Sequence, residues 1–186
     1  MSLPDREIQY ITYNYYNSVR TSDNERRTMF RKMRRSPQAI SREEMIEHLK
    51  NETRGVMSVQ GDDGYPYGFP INHFYNEEDG KLYFHGAKFG HRVDAVKRDP
   101  KVSYCVFGQD YKKEGDWAYY VKSVIVFGKV ELIEDEAEVE RISRLLCAKF
   151  PCTSEYVEQE IEKDTKNTLL IAINIEDMNG KLVHEA

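Results

Sequence analysis

The residues best suited to chemistry lie in a glycine loop between a predicted strand and a predicted helix. Gly86 and Gly90 can adopt positive φ angles and let the backbone approach a ligand closely. A helix that begins near His91 would present unpaired N–H groups and the positive end of its dipole, which suits a phosphate. Lys88 and Arg92 add cationic donors at the same place. The pattern is typical both of a phosphate-binding loop and of a glycine turn with ordinary surface charges, and it does not decide between them.

The histidine before this loop has two interpretations. His85 shares a strand face with Tyr83 in the predicted strand. A lone strand histidine is more often a hydrogen-bonded structural residue than a catalyst, but the position of His85 directly before the glycine loop also favours ligand contact. His73 has no such context, and we predict a structural role for it.

The three cysteines do not indicate a disulfide framework or a metal site. An odd number in a chain of this size argues against a set of disulfides. Cys147 and Cys152 would need a second cysteine pair or a close histidine pair to bind zinc, and the sequence has neither. Cys105 and Cys147 are expected to be small core residues, and no metal is expected.

Length and charge narrow the class of protein. The chain has 186 residues and a formal net charge of -5, which suits one domain and excludes a general nucleic-acid binder. No apolar run approaches the roughly 18 residues of a membrane span. The polar N-terminus has no signal-peptide core, so we expect a cytoplasmic protein that contacts neither membrane nor nucleic acid.

Hydrophobic patterning predicts six strands and four helices. Ser41 and Glu44 have the spacing of a capping box, which predicts a helix that ends near Asn51. A short helix follows the glycine loop and stops before Asp99-Pro100, and two more are predicted at 134–150 and about 154–164. The strands are predicted at residues 56–59, 65–75, 81–85, 101–107, 119–131 and 168–175.

Hairpins dominate this order of elements, and parallel βαβ alternation is absent, which disfavours a Rossmann fold. The predicted class is mainly β, a compact antiparallel barrel with peripheral helices. Pro66 and Pro70 cannot donate to a ladder, so their strand should be irregular or partly at an edge. Residues 1–32 are predicted to be an N-terminal extension to a domain at 33–186. The basic stretch 26–35 is either a solvated face or an anion-binding arm.

Five sequence motifs are informative when they are taken in their order along the chain. They are Met33-Arg34-Arg35, GYPYGFPIN (64–72), LYFHGAKFGHR (82–92), DPKVS (99–103) and SVIVFGKV (123–130). Together they resemble the FMN-binding split barrels of the pyridoxamine 5'-phosphate oxidase-like superfamily, and the nitroimidazole-resistance (Nim) type branch is the nearest. The resemblance extends from Met33 to the last strand, and it is more specific for the fold than for a substrate.

This resemblance implies a six-stranded split barrel, a homodimer, and two FMN sites at the subunit interface. The matching residues with an implied role in cofactor binding are Pro70, Ile71, Asn72, Tyr83, His85, Ala87, Lys88, Gly90, His91, Arg92, Ser123 and Val124. The first three would line the isoalloxazine with backbone groups, and the residues from His85 to Arg92 would hold the phosphate. His85 also matches a histidine that is considered part of the active site in Nim proteins.

Two segments depart from the family pattern. The N-terminal extension is not part of the short family core, and residues 108–118 form an insertion-like polar loop. Trp117 in this loop either stacks on a ligand or packs at an interface or surface. The extended arginine signature of true pyridoxamine phosphate oxidases is absent, so that activity is not expected.

The leading functional hypothesis is an FMN-dependent oxidoreductase. It would take electrons from NAD(P)H and reduce a small organic, nitroaromatic-like substrate, with FMN supplying the redox chemistry. One alternative is a non-catalytic flavin-binding or sensor protein. Another is a split barrel that binds haem or a deazaflavin.

Overall fold

The computed structural model describes residues 30–184, and the chain divides into two units between Arg34 and Arg35. The helices and strands described below belong to the unit that begins at Arg35. The predicted extension 1–32 and part of the basic stretch 26–35 lie outside the described residues. The division into an extension and a barrel domain therefore stays a prediction.

An eight-stranded antiparallel sheet forms the body of the described unit. Its strands are β1 (Arg54–Gln60), β2 (Pro66–Asn72), β3 (Phe74–Asn76), β4 (Lys81–Ala87), β5 (Lys101–Phe107), β6 (Tyr111–Lys112), β7 (Tyr119–Ile133) and β8 (Thr168–His184). The order across the sheet is β2-β1-β5-β7-β8-β4-β3, and β6 pairs with β7.

The sheet curls into a half-barrel that is split along one line. β2 comes close to β4, but no ladder joins these two strands in the described unit. The predicted class, a mainly β antiparallel split barrel with flanking helices, is confirmed. Each of the six predicted strands is present, and the two additional strands, β3 and β6, have only three and two residues.

Two predicted strand boundaries are wrong. The run 65–75 is interrupted at His73, which separates β2 from β3. The last strand was expected to end at Ile175, but it continues to His184 because it pairs with β7 beyond a bulge between Phe127 and Gly128. A Cβ atom at Gly128 would collide with the backbone of β8, so the bulge requires glycine.

Four helices flank the sheet: α1 (Arg42–Asn51), α2 (His91–Arg98), α3 (Glu136–Cys147) and α4 (Ser154–Asp164). The predicted capping box is confirmed at α1. The Ser41 hydroxyl accepts from the Glu44 N–H at 3.1 Å, and the Glu44 carboxylate accepts from the Ser41 N–H at 2.9 Å. No helix in residues 30–184 is long and apolar enough to cross a membrane, and a cytoplasmic location stays a prediction.

Strand alternation gives the sheet an inner face and an outer face. Inner residues such as Met57, Tyr104 and Val126 form the main core. On the outer face, α3 covers β4 and β8 and packs on a second cluster around Tyr83. The outer face of β1, β5 and β7 carries half-buried and exposed side chains. Cys105 belongs to that face, so its prediction as a core residue is wrong.

Candidate functional site

β2 is an edge strand whose free edge presents backbone groups. The His73 N–H donates to the Thr53 carbonyl at 3.1 Å, so these residues form a hydrogen-bonded pair of the β1–β2 ladder. Such pairs alternate with non-hydrogen-bonded pairs in an antiparallel ladder. Asn72, opposite Arg54, and Pro70, opposite Val56, therefore direct their backbone groups away from β1. The Asn72 N–H and the carbonyls of Pro70 and Asn72 lie along the free edge.

The same register explains the two prolines of this strand. Pro66 and Pro70 both occupy non-hydrogen-bonded positions, where an N–H group would point to the free edge. Neither proline removes a ladder hydrogen bond, which confirms the prediction that this strand lies at an edge.

Across the split, the loop from β4 to α2 presents the unpaired donors of a helix start. Gly90 has φ 114°, in the region that favours glycine, and no side chain caps α2. The Gly90 carbonyl accepts from the N–H groups of Val93 and Asp94 at 2.9 and 3.1 Å. Within the described residues, this leaves the N–H groups of His91 and Arg92 as the donors available at this helix end.

The Arg92 guanidinium folds back over the backbone of Gly86. A Cβ atom at Gly86 would lie only 3.1 Å from a guanidinium nitrogen of Arg92, so any larger residue would press on this side chain. Both Arg92 and Lys88 are half-buried. The loop thus holds two cations beside two free N–H groups, a donor set suited to a phosphate dianion.

His85 lies between this cationic loop and a cavity. The surrounding protein removes water from the imidazole, although part of the side chain is exposed, and this lowers the pKa of His85; the positive charge of Arg92 lowers it further. On its other side, His85 borders a cavity of about 140 Å³ between β4, α3 and α4, which Cys147, Glu160 and Ile161 also line. Both effects favour the neutral form of the His85 imidazole.

His91 connects the loop to β2. Its ring stacks on Tyr67 with a centroid distance of 4.1 Å, and its Nε2 lies 3.3 Å from the Asp62 carboxylate. Arg98 also donates to Asp62, at 3.0 Å. These contacts bring α2 against the β1–β2 turn, so the loop and the strand edge lie on either side of the split.

The structure brings only part of the predicted set together. His85, Lys88, Gly90, His91 and Arg92 lie in or next to the loop. Pro70, Ile71 and Asn72 lie on the facing edge strand, where Asn72 Oδ1 also accepts from Arg54 Nε at 2.7 Å. Ala87 is exposed at the end of β4.

Three other predicted residues have different surroundings. Tyr83 is buried under α3, and its hydroxyl donates to Asp79 at 2.6 Å. Val124 is fully buried in the main core, and Ser123 is half-buried opposite Phe107. Their roles in cofactor binding stay predictions.

Sequence reasoning missed a buried network behind β2. The Tyr104 hydroxyl lies 2.9 Å from both the Ile71 carbonyl and His73 Nδ1, and His73 Nε2 lies 2.7 Å from the Leu49 carbonyl. His73 is fully buried, in agreement with its predicted structural role. Alternation along β5 could have placed Tyr104 inside the barrel, but no local pattern indicates which strand its hydroxyl reaches.

Comparisons with known proteins agree with this architecture. The sequence profile of one family, described as "Pyridoxamine 5'-phosphate oxidase", matches residues 41–182. No curated protein matches the chain significantly.

Several solved structures share the fold. A conserved hypothetical protein from Mycobacterium tuberculosis is 16% identical, with a TM-score of 0.68 over 81% of this chain and 89% of that chain. A putative 5-nitroimidazole antibiotic resistance protein from Bacteroides thetaiotaomicron is 20% identical, with a TM-score of 0.63 over 78% and 87%. An FAD and haem binding protein from Mycobacterium smegmatis is 22% identical, with a TM-score of 0.58 over 78% and 72%.

Proposed function

Since the chain belongs to the pyridoxamine 5'-phosphate oxidase family, we propose that it binds FMN and is an oxidoreductase that transfers electrons from NAD(P)H to a small organic substrate. The observation that carries this proposal is the β4–α2 loop, where the Arg92 guanidinium, the half-buried Lys88 and two free N–H groups converge. A nitroaromatic compound is the proposed class of substrate, because the Bacteroides relative is described as a nitroimidazole resistance protein.

The residues on both sides of the split fit the two ends of FMN. The loop offers positive charge and N–H donors to the phosphate. The free edge of β2 offers one N–H group and two carbonyls, which suit the polar edge of the isoalloxazine ring. Pro70 and Asn72 carry these edge groups, and Ile71 between them is anchored from behind by Tyr104.

In the proposed reaction the protein binds, orients and supplies protons. FMN, when bound, would supply the electron-transfer chemistry. His85 lies next to the cationic loop, so a phosphate bound there would oppose the charge of Arg92 and raise the pKa of His85. A protonated His85 can then donate a proton to a substrate that has gained electrons.

The visible spectrum and anaerobic reduction test this function together. We expect the purified protein, or the protein titrated with FMN, to show flavin absorption bands. We also expect NADH or NADPH to bleach these bands without oxygen and a nitroaromatic compound to restore them. FMN binding without bleaching by either nucleotide would eliminate the NAD(P)H-dependent reaction and favour a flavin sensor. A haem spectrum instead of a flavin spectrum would overturn the choice of cofactor.

The outer face of the sheet supports a homodimer with the flavin sites at its interface. Pro70, Val56, Cys105 and Ile125 form one row across β2, β1, β5 and β7, and within the described unit each of these side chains is half-buried or exposed. The row ends at Pro70, so a second copy on this face would border the proposed flavin edge. Such an apolar, partly exposed strip is typical of subunit interfaces.

Ile125→Glu is expected to convert this dimer to a monomer, because it would bury a carboxylate at the β7 end of the apolar row. Leu145→Glu is the matched control, since Leu145 on α3 is 38% exposed and Ile125 is 39% exposed. Light scattering would give the mass of each protein. A wild-type monomer, or equal masses for wild type and Ile125→Glu, would contradict the proposed interface.

A further inference from the structure

The network behind β2 begins with Tyr104, which reaches across a neighbouring strand. Tyr104 is fully buried on β5, and β5 pairs with β1 but not with β2. Its side chain passes Gly55 on β1, where a Cβ atom would lie 2.7 Å from the ring. Its hydroxyl then meets the Ile71 carbonyl on β2 at 2.9 Å. Glycine at position 55 therefore allows the tyrosine to contact the strand that the proposed function assigns to the flavin ring.

The hydroxyl proton of Tyr104 has two competing acceptors. His73 Nε2 carries a hydrogen, because its partner at 2.7 Å is the Leu49 carbonyl, which can only accept. Burial lowers the pKa of His73 to about 3, so the ring is neutral and its Nδ1 is an acceptor. Tyr104 thus shares one proton between His73 Nδ1 and the Ile71 carbonyl, both 2.9 Å away.

The Ile71 carbonyl and the Asn72 N–H belong to the same planar peptide group. The peptide is trans, so the carbonyl points toward Tyr104 while the N–H points to the free edge of β2. A hydrogen bond to a peptide carbonyl polarises the group and makes its N–H a stronger donor. Gly55 lies opposite Ile71 and is the ladder partner of the same carbonyl, so the Tyr104 proton adds to the polarisation of this peptide and to the donor strength of a backbone group at the ligand edge.

We propose that Tyr104 and His73 are positioning residues that set the orientation and donor strength of the Asn72 N–H toward the bound flavin ring. The proposal rests on the function proposed above. Tyr104 strengthens this contact by donating to the Ile71 carbonyl, and His73 weakens it by competing for the same proton. Neither side chain reaches the free edge, so both act only through the 71–72 peptide.

Two substitutions should therefore have opposite effects on the binding of riboflavin, which has the flavin ring but no phosphate. Tyr104→Phe keeps the ring and removes the donor, and we expect it to weaken riboflavin binding about two- to tenfold. His73→Leu removes the competing acceptor and leaves Tyr104 bonded to Ile71, so we expect binding to tighten by about twofold. Tyr75→Phe, in the same buried cluster, is the matched control and should not change affinity.

Fluorescence titration with riboflavin and with FMN, together with the visible spectrum of each complex, distinguishes the outcomes. Opposite changes in riboflavin affinity, with the same ratios for FMN and shifted flavin bands, support the proposal. Equal affinities in wild type, Tyr104→Phe and Tyr75→Phe overturn it while leaving the proposed function intact. Weakening by both Tyr104→Phe and His73→Leu also overturns it, because it indicates only a packing role. If Tyr104→Phe does not fold, the ratio of the riboflavin affinities of His73→Leu and wild type decides: tighter binding supports the proposal, and equal or weaker binding overturns it. A wild-type protein that binds neither ligand eliminates this inference and the proposed function together.

Discussion

Replacement of both Lys88 and Arg92 with alanine is expected to weaken FMN binding by about 2–5 kcal/mol, a loss typical of truncating hydrogen-bonded charge pairs at a binding site. Both side chains are half-buried in the loop, and the Arg92 guanidinium is held against Gly86. A partly dehydrated cation interacts more strongly with a phosphate than a fully solvated one does. Isothermal titration calorimetry with FMN would measure the change.

Riboflavin binding separates the contribution of the phosphate to FMN affinity from the contribution of the flavin ring. Because riboflavin lacks the phosphate, we expect its affinity to be equal in wild type and in the Lys88→Ala/Arg92→Ala variant. The matched control is Lys97→Ala/Lys101→Ala, which removes the same charge from exposed positions at the far end of α2 and the start of β5. Equal losses of FMN affinity in the two variants would indicate a general field effect. If neither variant loses FMN affinity, the phosphate does not bind at the β4–α2 loop.

The parts of the fold that depend on local chemistry were predictable. Ser41 and Glu44 form the expected capping box because both partners lie within one helical turn. Pro66 and Pro70 indicated an edge strand because proline lacks the donor that an inner strand needs. Gly90 and the start of α2 lie where the glycine spacing placed them.

The predictions that were wrong concern features that depend on residues far apart in the chain. The length of β8 is set by its partner β7 and by the bulge at Gly128, so the pattern of β8 alone gave too early an end. Cys105 was predicted to be a core residue because free cysteine packs as a small hydrophobe, but which strand face lies inside depends on the curl of the whole sheet.

In the candidate site, too, residues close together in the sequence were predictable and contacts between distant residues were not. Lys88 and Arg92 were identifiable because they lie four residues apart, in the glycine loop and at the start of the helix that follows it. The stacking of His91 on Tyr67 joins residues 24 positions apart, and the Tyr104–Ile71 hydrogen bond spans 33 positions. Such contacts arise from the order of strands in the sheet, which periodicity along one strand does not encode. The structure therefore adds to the predicted site the residues that support the 70–72 segment.

The buried imidazole of His73 should make the protein sensitive to acid. Burial, together with the smaller effect of the charge of Lys149, lowers the pKa of His73 from 6.5 to about 3. A depressed pKa means that the unfolded chain binds the proton more tightly than the folded protein does. The contribution of neutral His73 to stability is complete above pH 6.5 and is lost as the pH falls toward 3. Between pH 7 and pH 5, His73 alone is therefore expected to lower the free energy of unfolding by about 2 kcal/mol.

Urea unfolding of wild type and His73→Leu at pH 7 and pH 5 would measure this contribution. We expect the wild type to lose about 2 kcal/mol more than the variant over this range, even though the variant starts less stable because it lacks the bond to Leu49. The pKa of His48 is also lowered by burial, but His48 remains in both proteins. Its contribution to the loss of stability is therefore about the same in both and cancels in the comparison. Equal losses in the two proteins would mean that His73 is hydrated or already protonated in the folded state. If His73 is protonated, its Nδ1 no longer accepts the Tyr104 proton, which would then bond to Ile71 at all times, and His73→Leu would not tighten riboflavin binding.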